Sequence, residues 1–83
     1  MLQRFTREAL AAGAERNMSV DLRLELKGIE VRVTGLRRRD QQSYTQIERA
    51  EWARLEAADD PAAALMVVVK NCIRQVTYWI ENS

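Results

Sequence analysis

The amino-acid sequence predicts a small α+β domain, in which an N-terminal helix and a two-stranded antiparallel β-hairpin are followed by two antiparallel helices packed on the hairpin. Apolar residues recur at helical spacing in residues 2–16 and 61–82, and they alternate with polar residues in 19–34. A proline at position 61 separates the last two helices. At 83 residues, the chain is expected to form one domain over residues 1–83, because it is too short for two hydrophobic cores.

The first helix is predicted over residues 2–16 and is expected to end at Asn17, a residue type that tolerates left-handed backbone. Its apolar positions are spaced by three and four residues: Leu2, Phe5, Ala9 and Ala12. Because this apolar stripe is shallow, the helix is expected to need packing against another element or against a partner.

Residues 19–34 are predicted to form the hairpin, with Lys27 and Gly28 as a two-residue turn and Gly35 as the end of the sheet. This turn would pair apolar residues on one face: Leu26 with Ile29, Leu24 with Val31, and Leu22 with Val33. On the polar face it would pair like charges: Arg23 with Arg32, and Glu25 with Glu30. Because like-charge pairs are unfavourable, the apolar face is expected to fix the register.

The second helix is predicted over residues 38–58. Asp40 lies near its expected N-terminus, where a carboxylate is favourable. Tyr44, Ile47 and Leu55 share one face at helical spacing, although acidic residues interrupt that face. This element is therefore expected to be the least cleanly buried of the four.

The last helix is predicted over residues 61–82, because proline fits the first position of a helix and Pro61 follows two aspartates. One broad arc of this helix is apolar: Leu65, Val68, Val69, Cys72, Ile73, Val76, Trp79 and Ile80. No other segment has as many large apolar residues at helical spacing. The hairpin and the other helices are therefore expected to pack against this arc.

The composition argues against an enzyme and against a metal or cofactor site. The chain has no histidine, so it lacks the commonest metal ligand and the usual general base near neutral pH. Its only cysteine, Cys72, lies in the apolar arc and is expected to be an unreactive core residue. Glu48 and Glu51 are interpreted as a solvated acidic face, without the histidine that bundle-type metal sites require. We therefore predict no catalytic, cofactor-binding or metal-binding residues.

The sequence also predicts a cytoplasmic protein. Its first residues mix acidic and basic side chains without an apolar run, unlike a secretory signal. No stretch approaches the roughly 18 apolar residues of a membrane span, so no membrane association is expected. A lone cysteine among apolar residues is typical of a reducing compartment.

Aromatic side chains and arginines are the candidates for contacts with a partner protein, because Trp, Tyr and Arg often dominate binding energy at interfaces. We predict seven contact residues: Tyr44, Trp52, Tyr78, Trp79, Arg37, Arg38 and Arg39. The three consecutive arginines also raise nucleic acid as a partner. No aromatic residue lies between Thr6 and Gln42 to stack on bases, however, which favours a protein partner. A second copy of the chain is a further candidate, because a chain of this size gains stability by covering apolar surface.

Three segments resemble the layout of the small tail-assembly chaperones of long-tailed bacteriophages. They are a hairpin around a glycine from Leu22 to Val33, a Leu36-Arg-Arg-Arg-Asp40 segment that opens a helix, and an Asp59-Asp60-Pro61 turn before a helix that contains Cys72. The resemblance covers roughly residues 20–82 and leaves the first helix unaccounted for. It implies a chaperone that binds the hydrophobic tape-measure protein while the tail polymerises around it.

Together, the residues and the resemblance predict a non-enzymatic protein-binding module, of the phage or mobile-element assembly or chaperone type, that binds a hydrophobic partner segment. Residues 1–39 carry nine basic and five acidic side chains, and residues 40–83 carry four and seven. This two-sided charge suits a second hypothesis equally well: a small phage-encoded inhibitor of a host protein, such as an anti-defence protein. An arginine-rich nucleic-acid-binding regulator is the third hypothesis.

Overall fold

The computed structural model describes the backbone of residues 2–14 and 17–82, and the side chains of residues 7–14 and 17–82. Its elements are, in chain order, α1 (Leu2–Ala14), β1 (Ser19–Leu24), β2 (Gly28–Arg37), β3 (Gln42–Glu51), α2 (Trp52–Ala57) and α3 (Pro61–Asn82). The strands form one antiparallel sheet in the order β1-β2-β3. α1 contacts β1 and α3, while α3 covers β2 and β3. The predicted α+β class is confirmed, but the sheet has three strands rather than two.

The predicted helix over residues 38–58 is wrong. Residues 38–41 form a turn, β3 follows it, and only the short helix α2 remains of the prediction. β3 pairs with β2 over its whole length, from Gly28 opposite Glu51 to Arg37 opposite Gln42. A strand forms because β2 supplies hydrogen-bond partners for alternate residues along the whole of β3, and because Tyr44, Thr45 and Ile47 favour strands.

The register of the first hairpin differs from the predicted one by two residues. Glu25 and Gly28 exchange backbone hydrogen bonds of 2.8 and 3.4 Å, so Leu26 and Lys27 are the turn residues. The observed pairs include Leu24 with Ile29, Arg23 with Glu30, Leu22 with Val31, Asp21 with Arg32, and Val20 with Val33. The shift keeps the apolar residues on one face and replaces the like-charge pairs with pairs of opposite charge. It also leaves Leu26 95% exposed at the tip.

Gly35 does not end the sheet, because β2 continues to Arg37. It is buried where α3 crosses β2, and a Cβ atom at this position would lie 2.5 Å from Val76 Cγ1 and 3.0 Å from Ile80 Cδ1. Gly28 is required for a similar reason, since a Cβ there would overlap the backbone carbonyl of Ala50. Both glycines therefore permit close approach of other elements.

The last helix is confirmed as Pro61–Asn82. Its first turn is capped by Asp60, whose Oδ1 accepts a hydrogen bond from the Ala63 N–H at 3.2 Å. Five residues of the predicted apolar arc are buried in the core: Leu65, Val69, Cys72, Ile73 and Val76. Val68 and Ile80 are partly buried against the core, and Trp79 is partly buried.

α1 completes the cover of the sheet on the same side as α3. Its Ala9 is fully buried, and the predicted end at Asn17 agrees with the positive φ of 56° at that residue. Predicted helical residues 15 and 16 lie outside the described residues, as do the side chains of Leu2 and Phe5. Among the helices that the structure describes, none is both long and apolar enough to cross a membrane.

Candidate protein-contact surface

Three of the predicted contact residues meet at the end of the sheet where the β2–β3 turn lies beside the last turns of α3. Tyr44 is on the helix-covered face of β3, opposite Gly35 of β2. Trp79 extends from α3 onto Tyr44, and the two rings stack with centroids 5.0 Å apart and an interplanar angle of 16°. Stacking of this kind contributes about 0.5–1.5 kcal/mol beyond the burial of area.

Arg37, the last residue of β2, adds a third layer to this stack. Its Cζ lies 4.4 Å from the centroid of the Trp79 ring, which is the geometry of a cation–π contact. The same guanidinium donates two hydrogen bonds to Asp40, from Nε to Oδ1 at 2.9 Å and from Nη2 to Oδ2 at 2.6 Å. The β2–β3 turn thus fixes the orientation of the arginine over the tryptophan.

The Arg37–Asp40 pair also affects the pKa values of both groups. The hydrogen bond from Arg37 is the main cause that lowers the pKa of Asp40 to about 2, with a further contribution from the Gln42 N–H, which donates to Oδ1 at 3.2 Å. The hydrogen bond to Asp40 likewise raises the pKa of Arg37. Both groups are therefore charged at neutral pH.

Exposed apolar side chains and a groove are also found at this end of the molecule, among the residues next to the stack in sequence. Leu36 is 48% exposed and Tyr78 is 65% exposed. A groove of about 390 Å³ is lined by Asn17, Met18, Leu36, Arg38, Thr77, Ile80 and Glu81. The buried Oγ1 of Thr77 has no hydrogen-bond partner among the described residues.

We name this region the hairpin-end surface. It comprises Leu36, Arg37, Arg38, Arg39, Tyr44, Tyr78, Trp79 and Ile80. Arg38 and Arg39 are exposed on the β2–β3 turn, where Gln41 adopts a positive φ of 61° and its side chain donates to the Arg38 carbonyl at 3.0 Å. Six of the seven predicted contact residues are thus in one region of the molecule.

The seventh, Trp52, lies at the opposite end of β2. Its indole Nε1–H donates to the Glu25 carbonyl at 2.9 Å, and its backbone N–H donates to the Lys27 carbonyl at 2.9 Å. The side chain is only partly exposed and packs against the core. Trp52, which the sequence predicts as a contact residue, joins the first hairpin turn to the start of α2 in the structure.

The sequence prediction did not include Leu36 and Ile80 among the contact residues. Leu36 was interpreted as a connection to a helix, and Ile80 as part of the core arc. Continuing the alternation of β2 beyond Gly35 would have placed Leu36 on the face of the sheet away from the helices.

The thiol of Cys72 is enclosed in the core. Cys72 is fully buried, and its thiol donates to Glu48 Oε2 at 3.5 Å. Burial, followed by the nearby Glu48 carboxylate, raises the pKa of the Cys72 thiol to about 12. A protonated, inaccessible thiol is a poor nucleophile. Within residues 2–14 and 17–82, no three side chains of the His, Cys, Asp or Glu type group together as metal ligands would.

Comparison of the chain with known proteins identifies no relative. No protein-family model matches the chain, and neither a curated protein nor a solved structure matches it significantly.

Proposed function

We propose that this protein is a non-enzymatic protein-binding module that contacts its partner through the hairpin-end surface. The observation that carries this proposal is the stack of Tyr44, Trp79 and Arg37, held in place by Asp40. Trp, Tyr and Arg are the residues that most often dominate interface energy. Because the stack is already ordered, binding would immobilise few additional side chains, which favours affinity.

The chemistry of the surface indicates the kind of partner. Leu36 and Tyr78 offer exposed apolar area, while Arg38 and Arg39 add positive charge on the adjacent turn. A partner segment with apolar side chains and nearby acidic groups would complement both features. An apolar segment is also what the predicted assembly or chaperone function requires.

The resemblance to phage tail-assembly chaperones supports this class less directly than the surface does. One of its three segments, Leu36-Arg-Arg-Arg-Asp40, forms the end of β2 and a turn rather than the start of a helix. We therefore propose a binding module for an apolar protein segment. A tape-measure protein and a host protein remain the two partner classes to distinguish.

The test compares two substitutions with equal starting exposure. Leu36 and Ile47 are both 48% exposed, but only Leu36 belongs to the hairpin-end surface. Leu36→Asp is expected to weaken capture of a specific protein from bacterial lysate by about tenfold or more, because it places an unpaired charge in an apolar contact. Ile47→Asp, the matched control, should leave capture unchanged. Circular dichroism and thermal unfolding should show that both variants are folded.

Mass spectrometry of the captured material then assigns the partner class. A phage structural protein supports the assembly function, and a host protein supports the inhibitor hypothesis. Equal loss of capture in both variants, or no loss in either, would overturn the proposed surface. Capture that disappears on nuclease treatment would overturn a protein-binding function.

A further inference from the structure

The edge of β1 has the features of a self-pairing strand. β1 is the outer strand of the sheet, and among the described residues no strand pairs with its other side. It spans six residues, Ser19–Leu24. An unpaired edge of this kind presents backbone N–H and C=O groups to a possible partner strand.

Backbone hydrogen bonds show which groups of β1 point to the open side. Glu25 and Gly28 exchange hydrogen bonds, so they form a hydrogen-bonded pair. Such pairs alternate along an antiparallel ladder, so Asp21 and Arg23 also bond to β2. The backbone groups of the three intervening residues therefore point away from the sheet: Val20, Leu22 and Leu24. On the next strand, Gly28 bonds to Glu25 on the β1 side, and the preceding residue, Lys27, accepts a hydrogen bond from the Trp52 N–H on the β3 side. Neighbouring residues thus bond to opposite sides, as the alternation requires.

Among the antiparallel registers that overlap most of Ser19–Leu24, only one sets opposite charges of β1 against each other in two copies. An antiparallel pairing that sets Leu22 opposite Leu22 also sets Asp21 opposite Arg23 on both sides of the axis. Moving the register by two residues sets Asp21 opposite Asp21 in one direction, and Arg23 opposite Arg23 in the other. Both shifted registers are disfavoured, because like charges directly opposed across strands are destabilising. β3, the other edge strand, has no such selection, since registers centred on Gln46 and on Ile47 both avoid like-charge pairs.

Apolar residues add to this complementarity. Leu24 is on the helix-covered face of β1, yet it is 66% exposed. At the other end of the same strand, Val20 is buried, and Gly13 of α1 lies close to it. In the register centred on Leu22, each Leu24 lies beside Val20 of the second copy. The C-terminal end of α1 of the second copy would then cover the exposed Leu24 side chain.

We propose that the chain forms a two-fold symmetric homodimer through antiparallel β1–β1 pairing centred on Leu22, which joins the two sheets into one of six strands. The three outward-facing residues of each copy supply about six intermolecular backbone hydrogen bonds. The two-fold axis places the hairpin-end surfaces at opposite ends of the joined sheet. A dimer therefore presents two partner-binding surfaces that do not obstruct each other.

Disulfide trapping tests both the dimer and its register. In the proposed register, residue 21 lies opposite residue 23 in a non-hydrogen-bonded pair, with Cα atoms about 4.5 Å apart, which a disulfide can span. Residues 21 and 21 are displaced by two positions and lie about 8 Å apart, which is too far for a disulfide. A mixture of Asp21→Cys and Arg23→Cys chains, oxidised with glutathione disulfide, should yield the mixed covalent dimer. Either variant alone should yield several-fold less.

Sedimentation equilibrium tests the same pairing without cross-linking. The wild-type chain should dimerise between micromolar and millimolar concentration. Leu22→Pro should weaken dimerisation by about tenfold or more, because it removes an outward N–H and blocks the central pair, while no β1–β2 hydrogen bond is lost. Leu22→Ala, which keeps the N–H, is the matched control and should dimerise more tightly than the proline variant.

Two outcomes would overturn the proposal. One is a wild-type chain that remains monomeric at millimolar concentration. The other is a cysteine mixture in which 21–21 and 23–23 disulfides form as readily as 21–23. Because the trapping experiment needs only folded protein, it decides the question even if Leu22→Pro fails to fold. Neither experiment depends on whether the hairpin-end surface binds a partner.

Discussion

The close packing of α3 on Gly35 leads to a quantitative prediction. In a Gly35→Ala variant, the new methyl group would lie 2.5 Å from Val76 Cγ1, whereas non-bonded carbons normally pack at about 3.5–4.0 Å. Overpacking a core typically costs about 1–3 kcal/mol. The reduced freedom of the unfolded chain offsets about 0.4–1 kcal/mol of this. We therefore expect Gly35→Ala to lower the free energy of unfolding by about 1–2 kcal/mol.

A second substitution should relieve the first. Val76 is fully buried, and Val76→Ala removes about two methyl equivalents, which costs about 1.6 kcal/mol before any term for the cavity. In the double variant, the methyl group introduced at position 35 occupies part of the space that the valine leaves. The double variant should therefore be about 1–2 kcal/mol more stable than the sum of the single effects.

Urea unfolding at 25 °C measures these values, with the slope of the transition checked for constancy. Val69→Ala combined with Gly35→Ala is the matched control, because Val69 is equally buried but lies about 10 Å along α3 from Val76. The control pair should be additive within about 0.5 kcal/mol. Additivity in the Gly35–Val76 pair as well, or no effect of Gly35→Ala, would refute the packing of α3 on β2 at this position.

Two further predictions follow from the pKa values. The pKa of Asp40 is about 2 in the folded state, below its ordinary value of 3.8, so its contribution to stability is present above pH 4 and is lost as the pH falls towards 2. Asp40→Asn should be less stable than wild type at pH 7, and the two urea midpoints should converge near pH 2; a difference that is independent of pH would contradict the ion pair. For Cys72, burial raises the folded-state pKa of the thiol to about 12, so native protein should react with a thiol reagent only as fast as it unfolds. Raising the pH from 7 to 9 should therefore accelerate labelling of an unfolded control far more than labelling of the native protein. Labelling of native protein at the rate of an exposed thiol would show that Cys72 is accessible.

Residues 42–51 form a strand rather than the predicted helix because of contacts with residues distant in sequence. In β3 the inward positions are Tyr44, Gln46, Glu48 and Ala50, so the usual alternation of apolar and polar residues is absent. Gln46 accepts a hydrogen bond from the Tyr44 hydroxyl at 3.1 Å, and Glu48 accepts one from the Cys72 thiol at 3.5 Å. These polar residues are tolerated because their partners come from the folded molecule. A pattern based on hydropathy could not have predicted that strand.

The register of the first hairpin could have been predicted from the sequence. The turn rule favours a glycine among the two central residues, and it therefore selects Lys27 and Gly28. The cross-strand charges select the observed register, because it pairs Arg23 with Glu30 and Asp21 with Arg32. In this hairpin the charge pairs and the close approach of Gly28 to β3 outweigh the turn preference. The like-charge pairs of the predicted register were the signal that it was wrong.

The contact surface depends on the correction of the second helix. Arginines and aromatic residues were identified as contact residues from their types, but their spatial relationship follows from β3 being a strand. Because β3 pairs with β2, Tyr44 lies opposite Gly35, the residue whose missing side chain lets α3 approach the sheet. That approach brings Trp79 onto Tyr44. The turn that replaces the expected helix start pairs Arg37 with Asp40, and Arg37 lies over the Trp79 ring. The geometry of the exposed surface is therefore determined by a buried glycine, which lies outside that surface, and by the β2–β3 turn, whose Arg38 and Arg39 belong to it.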